Sequence, residues 1–331
     1  SLQLVSRYTF LLIVLIDLIS ATTAMTCTAT CVNTTTSTAS RIAFYSFDSV
    51  TTDATGNYPL TGISSPNYVS GWIGSAISFN ASNAQRLNTS TMPISFQSFS
   101  IEFWFYALNV SSGWDIPFMG QCTAHVQDKC LFLSIWYNRL AFGFFADDTV
   151  GTLNLSPNNW YHAAFVFDNS TRKRYIYLNG ILDNQGTAVN TLQVTSASFT
   201  IGGARIGGRV LTLNSYYTGY IDHVTISGRE KSACEIYLDA NLACYLTFDS
   251  IMPITDSGPN FLVATNVGTL KSTIGRVNQA LQFSSSLSYI TIHHITPLQS
   301  NFNTFSISMW ISATNINGGG TIIHTSTQSN S

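Results

Sequence analysis

Between Ser98 and Ala107 the chain alternates strictly. Phe99, Ile101, Phe103 and Phe105 fall on one face of an extended segment, and Ser100, Glu102, Trp104 and Tyr106 on the other. That two-residue period predicts a strand with one buried face. Leu131–Tyr137 and Leu140–Phe145 flank Asn138-Arg139 and read as a hairpin. Trp160–Phe167 and Arg174–Leu178 flank a polar turn, and Asn179-Gly180 is a favoured turn dipeptide because both residues tolerate positive φ. Ser198–Ile201 and Tyr220–Ile226 add two more strands, and only Glu230–Ala240 carries a helical pattern. Short strands at this spacing, from Ile42 to about Thr225, predict an all-β sandwich of two antiparallel sheets.

The pattern then repeats. AFYSFDS (43–49) returns as CYLTFDS (244–250), and Asp53 with Gly56-Asn57 returns as Asp256 with Gly258 and Asn260. GWIGSAISF (71–79) returns as GRVNQALQF (275–283), and FSIEFWFYA (99–107) as FSISMWISA (305–313). Same-order echoes with slowly drifting spacing predict a whole domain in tandem. The second copy lacks counterparts of everything after about His125. A sheet without those strands would expose edges and half a core, so a truncated second copy is expected. The predicted organisation is a signal peptide or signal anchor over 1–24, a Thr-rich spacer over 25–41, one domain over 42–241 and a partial domain over 242–331.

The first segment rests on Arg7, an apolar run from Phe10 to Ile19 interrupted by Asp17, and the small residues of ATTA (21–24). A basic flank, short apolar core and small-residue exit describe a secretory leader. The run is short for a membrane span, which needs about 20 apolar residues. Cleaved or anchored, it places the remainder on the oxidising side, secreted or on the cell surface. The six cysteines fall in close pairs, Cys27 with Cys31, Cys122 with Cys130 and Cys234 with Cys244. None has CxxC spacing, so disulfides are favoured over zinc, and local pairing is the simplest of the fifteen connectivities. Sequons at Asn33, Asn80, Asn88, Asn109 and Asn169 fit the same compartment; Asn154, followed by Ser156-Pro157, is the weakest. Charged residues are only 9% of the chain and the net charge is −2. That gives no electrostatic basis for nucleic-acid binding. Membrane contact is expected only if the N-terminal run is an uncleaved anchor.

Seven segments in order carry a family resemblance: YSFD (45–48), GWIGSAISF (71–79), FSIEFWFY (99–106), NNWYHAAFVFD (158–168), RYIYLNG (174–180), SFTIGG (198–203) and GYIDHVTISGRE (219–230). Together they resemble the laminin-G-like jelly roll of the concanavalin A-like lectin and glucanase superfamily. The resemblance implies two curved sheets with jelly-roll connections, and extracellular binding or adhesion modules for glycans or proteins. It fixes neither ligand nor activity.

Catalysis is disfavoured by chemistry. Retaining glucanases need two carboxylates about 5 Å apart. Glu102 has Ser, Ser, Trp and Tyr as its companions on that face, and Ser308 replaces it in the second copy. Glu102 is therefore expected as a polar residue on the outer face. His162, between Trp160 and Ala164 on its strand face, is expected to be structural, because no nucleophile partners it. His293-His294 and His324 lack companions at metal-ligand spacing. GGARIGG (202–208) lacks the helix and Lys-Ser/Thr of a phosphate loop. Calcium is the metal candidate: Asp48, Asp53 and Asp222 offer hard oxygens, with Asp147-Asp148 as another option. The resemblance points to the same three, since the family often holds calcium near such positions. Trp104, Tyr106, Trp136, Tyr216 and Tyr217 are glycan-stacking candidates by type. The expected function is a non-catalytic extracellular module for glycan or protein partners; the alternatives are a ligand-free structural repeat and, last, an extracellular glycoside hydrolase.

Overall fold

The computed structural model describes residues 2–5, 9–10, 12–17, 38–111, 115–124, 126–204, 216–250, 253–285, 287–295, 304–314 and 320–325. Residues 37–240 form one compact unit, and the other described residues form a second. In chain order the strands begin with β1 (Leu2–Val5), β2 (Thr9–Phe10) and β3 (Leu12–Asp17). The larger unit follows with β4 (Arg41–Tyr45), β5 (Thr61–Ile63), β6 (Asn67–Ser70), β7 (Ser75–Phe79), β8 (Arg86–Thr89), β9 (Phe99–Ala107), β10 (Ile116–Cys122) and β11 (Cys130–Trp136). It continues with β12 (Arg139–Gly143), β13 (Asp148–Val150), β14 (Trp160–Asp168), β15 (Lys173–Leu178), β16 (Ile181–Thr187), β17 (Phe199–Ile201), β18 (Gly219–Ser227) and the helix α1 (Ala233–Asn241).

Two antiparallel sheets make the larger unit an all-β jelly-roll sandwich. One runs β16-β15-β14-β9-β18-β7-β6, with β4 also paired to β18; the other runs β13-β12-β11-β10-β17-β8-β5. The alternation in β9 sets the packing. Phe99, Ile101, Phe103 and Phe105 are wholly buried in the shared core. Phe103 meets Phe118 of the opposite sheet at 5.1 Å, and Phe99 meets Phe142 at 6.0 Å. These edge-on contacts between two apolar faces hold the sheets together.

Local chemistry fixes the connections. Asn179 (φ 52°) and Gly180 (φ 81°) form the expected turn between β15 and β16. The β11–β12 turn falls one residue earlier than the sequence suggests. Trp136 pairs with Arg139, so Tyr137 (φ 48°) and Asn138 (φ 62°) occupy the bend. A two-residue hairpin of this type needs both central residues left-handed, and Arg139 instead begins the strand. Helix α1 starts three residues later than expected because Ser232 caps it. The Glu235 N–H donates to Ser232 Oγ, and the Ser232 N–H donates to Glu235 Oε2 at 3.0 Å, a reciprocal capping box.

The second unit contains β1–β3 and β19 (Leu242–Leu246), β20 (Ile254–Thr255), β21 (Val263–Val267), β22 (Leu270–Ile274), β23 (Gln279–Phe283), β24 (Tyr289–Ile292), β25 (Thr304–Ser308) and β26 (Ile323–Thr325). Its sheets run β20-β21-β24-β1-β26, β19-β3-β25 and β2-β23-β22. The N-terminal residues 2–5, 9–10 and 12–17, expected as part of a leader, therefore run as strands of this unit. Residues 18–37 lie outside the described residues, including Cys27, Cys31, Asn33 and most of the Thr-rich spacer.

The sequence echoes coincide with repeated hydrogen bonds. Asp48 Oδ1 accepts the Ser75 N–H at 2.9 Å, and Asp249 Oδ1 accepts the Gln279 N–H at 3.1 Å. Asp53 Oδ1 accepts the Phe44 N–H at 2.9 Å, and Asp256 Oδ1 accepts the Tyr245 N–H at 2.7 Å. Phe47 and Phe248 both take left-handed φ, 56° and 59°. The FDS triplet is thus a bend that turns its carboxylate onto the strand behind it.

Candidate functional site

The outer face of the β9 sheet is read row by row, because residues in register on neighbouring strands share a face. Three of its four rows are closed. Around Ser100 and Glu102, helix α1 lies on the sheet, with Ile236 packed against Ala164, Val166 and Tyr177. In the next row Trp104 pairs with His162 and Asp222. Trp72 stacks on Trp104 at 4.0 Å and 15°, and both indoles are buried.

The fourth row is open. Trp160, Tyr106 and Tyr220 lie in register on β14, β9 and β18. Tyr106 stacks on Tyr220 at 5.1 Å and 14°, and Trp160 lies 5.6 Å from Tyr106. All three are half-buried, so ring surface remains accessible. The row continues through Ser78, in register with Tyr220, to the exposed Asn67. Five adjacent strands place these side chains over four spacings, roughly 19 Å. An aromatic shelf ending in small uncharged polar groups can stack on sugar faces and hydrogen-bond hydroxyls. Tyr106 was among the expected candidates; Trp160, Tyr220, Ser78 and Asn67 were missed. Their outward facing is legible from alternation, but the register that aligns them is not.

Glu102 lies on the outer face of β9 as expected, but that part of the face is covered. It is 2% exposed, and its Oε1 lies 2.5 Å from Lys231 Nζ. Lys231 also bonds Asp239 of α1 at 2.6 Å. Burial depresses the ammonium's pKa, but the two carboxylates more than offset it and the net shift is upward. Burial, reinforced by Glu102, pushes the Asp239 carboxyl up to about 6. His162 is 3% exposed and sits edge-on to Trp104 at 5.2 Å, with burial driving its pKa down to about 3. The Glu102 carboxylate is thus sealed under α1 by an ammonium, where no substrate reaches it. The burial has a simple origin: β9 is a central strand, and a helix covers this part of its outer face.

Asp48 and Asp222 both hold the 71–75 loop and repel each other electrostatically, whereas Asp53 holds a turn of its own. Asp53 accepts N–H groups from Phe44, Thr55, Asn57 and Tyr58, which hold its turn. Burial opposes its ionisation, but the Thr55 hydroxyl bond and the N–H bonds of Phe44, Thr55 and Tyr58 outweigh it and its pKa is lowered. Asp222 accepts the Ile73 N–H at 3.1 Å and faces His223 Nδ1 at 2.7 Å. Calcium takes several oxygen ligands, and the oxygens of Asp53 are already engaged by N–H donors. Among the described residues no group of three or more His, Cys, Asp or Glu is placed to hold a metal. Asp147 is tied to Arg174 by an ion pair at 2.6 Å, while Asp148 opens β13 at the surface. His293, His294 and His324 are exposed in the second unit.

Cys122 and Cys130 form the expected disulfide across β10 and β11. The simple local pairing fails for the last two cysteines. Cys234 is disulfide-bonded, but Cys244 is a free thiol, wholly buried in β19, with burial raising its pKa. Cys234 sits on α1 and Cys244 on a core strand of the other unit, so closeness in sequence did not decide their pairing. Asn80 and Asn109 are exposed. Asn88 is half-buried within β8, and Asn169 bonds Phe96 and Thr191 through its amide. Trp136 packs beside exposed Tyr137, Tyr216 is buried with Arg86 over its ring, and Tyr217 is in the core. Gly202 takes left-handed φ and Gly203 bridges Tyr216; residues 205–208 lie outside the described residues.

Residues 79–237 match the profile of the concanavalin A-like lectin/glucanases superfamily. No curated protein sequence matches the chain. Among solved structures, the chain is similar to domain 4 of AbnA, a GH43 extracellular arabinanase from Geobacillus stearothermophilus, in complex with arabinotriose. Identity is 22%, coverage 60% of this chain and 96% of that one, and the TM-score 0.48. It is also similar to the binding domain of Paraclostridial Mosquitocidal Protein 1, with 15% identity, coverage of 72% and 61%, and a TM-score of 0.49. A third is the binding domain of botulinum neurotoxin DC in complex with rat synaptotagmin II, with 12% identity, coverage of 76% and 73%, and a TM-score of 0.48.

Proposed function

We propose that this chain is a non-catalytic extracellular binding protein whose jelly-roll module recognises glycans through the Trp160–Tyr106–Tyr220 row. The observation carrying this reading is the row itself: three aromatic side chains, in register on adjacent strands, stacked yet half-open, with Ser78 and Asn67 continuing the line. A core-packing role would bury such rings, as it buries Trp72 and Trp104 one row away. The extracellular assignment is supported by the Cys122–Cys130 disulfide and the exposed sequons. Residues 242–331 are a partial second copy of the module, a reading supported by the repeated Asp48/Asp249 and Asp53/Asp256 hydrogen bonds.

The test is a glycan array probed with the full chain, the Tyr106→Ala variant and the Trp160→Ala variant, with calcium and with chelator. The reading expects signals on neutral glycans that both variants lose and that chelation leaves intact. Absence of any signal from the parent chain freed of its own N-linked glycans, or signals unchanged in both variants, would overturn it.

A further inference from the structure

The aromatic row lies beside an attachment site for a glycan of its own. Asn80 directly follows β7, in the sequon Asn80-Ala81-Ser82. Its backbone is still extended (φ −126°, ψ 114°), so its side chain continues on the face of Ser78, opposite the buried Phe79. Ser78 is in register with Tyr220. Asn80 is therefore the diagonal neighbour of Tyr220, on the order of 7–8 Å away across the strand pair. The side chain is exposed and pre-oriented, because Asn80 Oδ1 accepts the Ser82 N–H at 2.9 Å. That bond engages the oxygen and not Nδ2, the atom that bears an N-linked sugar.

We infer that Asn80 is N-glycosylated and that the first sugars of its glycan lie along the Tyr220–Tyr106–Trp160 row, occupying the site in cis. This rests on the reading of the row as a sugar-stacking surface. In the attachment step, Asn80 Nδ2 attacks the anomeric carbon of a lipid-pyrophosphate-linked oligosaccharide. A C–N bond forms, the C–O bond to the pyrophosphate breaks, Nδ2 loses one proton, and lipid pyrophosphate leaves. The tethered sugar competes with free glycans at the high effective concentration of a short link. The row then presents itself to outside ligands only when the Asn80 glycan is trimmed or displaced.

The experiment uses the full chain from a secreting eukaryotic host, with glycopeptide mass spectrometry at Asn80. The second arm compares array binding of the parent with that of Ser82→Ala. This variant destroys the sequon yet keeps the Ser82 N–H that orients Asn80. Expected are an occupied Asn80 and array signals at least several-fold stronger for Ser82→Ala, with the gain absent when Tyr106→Ala is added. An unmodified Asn80, or equal binding of parent and Ser82→Ala, overturns the cis occupancy. If binding is equal but lost in Tyr106→Ala, the row remains a glycan site and only the cis inference falls. If no form binds, the reading of the row falls with it.

Discussion

Lys231→Met cuts the buried charge cluster at its centre. Lys231 is 5% exposed and neutralises two carboxylates, Glu102 at 2.5 Å and Asp239 at 2.6 Å. Methionine keeps the stem's volume and removes the charge. The other close contact of Glu102 is His162, at 3.9 Å, and burial disfavours its charged form. Two carboxylates are thus left under α1 without their contacting cation, with only Arg41 and Arg229 acting on them at longer range. Removing one partner of a buried ion pair costs about 3–5 kcal/mol. For a module of this size that lowers Tm by roughly 6–20 °C. The assay is urea denaturation of the full chain at pH 7, read by tryptophan fluorescence, since Trp72 and Trp104 are stacked beside His162. A companion carrying Glu102→Gln and Asp239→Asn as well as Lys231→Met removes the stranded charges and is expected to regain most of the loss. A loss below about 1 kcal/mol, the size of an exposed ion pair, would refute the view that α1 seals this cluster from water.

Asp53→Ala removes the acceptor for four backbone N–H groups and is expected to cost roughly 2–3 kcal/mol, by the same denaturation assay. Because the folded-state pKa of Asp53 is lowered, its contribution is present above its unfolded pKa and is lost as pH falls through the folded value. Cys244 is expected to resist alkylation in the native chain and to react once urea unfolds its unit; mass spectrometry of the labelled peptide decides, and rapid native labelling contradicts its burial. In the charge cluster, His162 is depressed to about 3, so its contribution is lost as pH falls from about 6.5 toward 3. Asp239 is raised to about 6, so it gains stability as pH falls from about 6 to 4 and opposes that loss. Asp239→Asn removes the opposition, and its stability should fall up to about 1.4 kcal/mol per pH unit more steeply than the parent's over that window.

The fold was readable because alternation and turn chemistry are local. Phe99, Ile101, Phe103 and Phe105 identify the inner face of β9, and Asn179-Gly180 locates a hairpin before any contact is known. What alternation leaves open is which part of an outer face meets water. On β9, Glu102 and Tyr106 stand on the same face four residues apart, yet α1 covers the first and nothing among the described residues seals the second. Only the docking of α1, anchored through Lys231 and capped by Ser232, separates a sealed carboxylate from an accessible ring. The row was hidden for a related reason: Trp160 and Tyr220 are far apart in sequence and meet Tyr106 only through strand register. A carboxylate that organises a turn and one that binds a cation have the same sequence signature, so the sequence alone does not assign Asp53. The N–H donors around Asp53 distinguish them.

The most direct test of the glycan-binding account is isothermal titration of the oligosaccharide giving the strongest array signal into the parent chain and into Tyr106→Ala. Tyr106 is the centre of the row, touching both Trp160 and Tyr220. Losing a stacking partner worth about 1.5 kcal/mol should weaken affinity about tenfold or more, with the fold of the variant unchanged. Equal affinity in the two proteins would contradict the account and place the ligand elsewhere on the molecule.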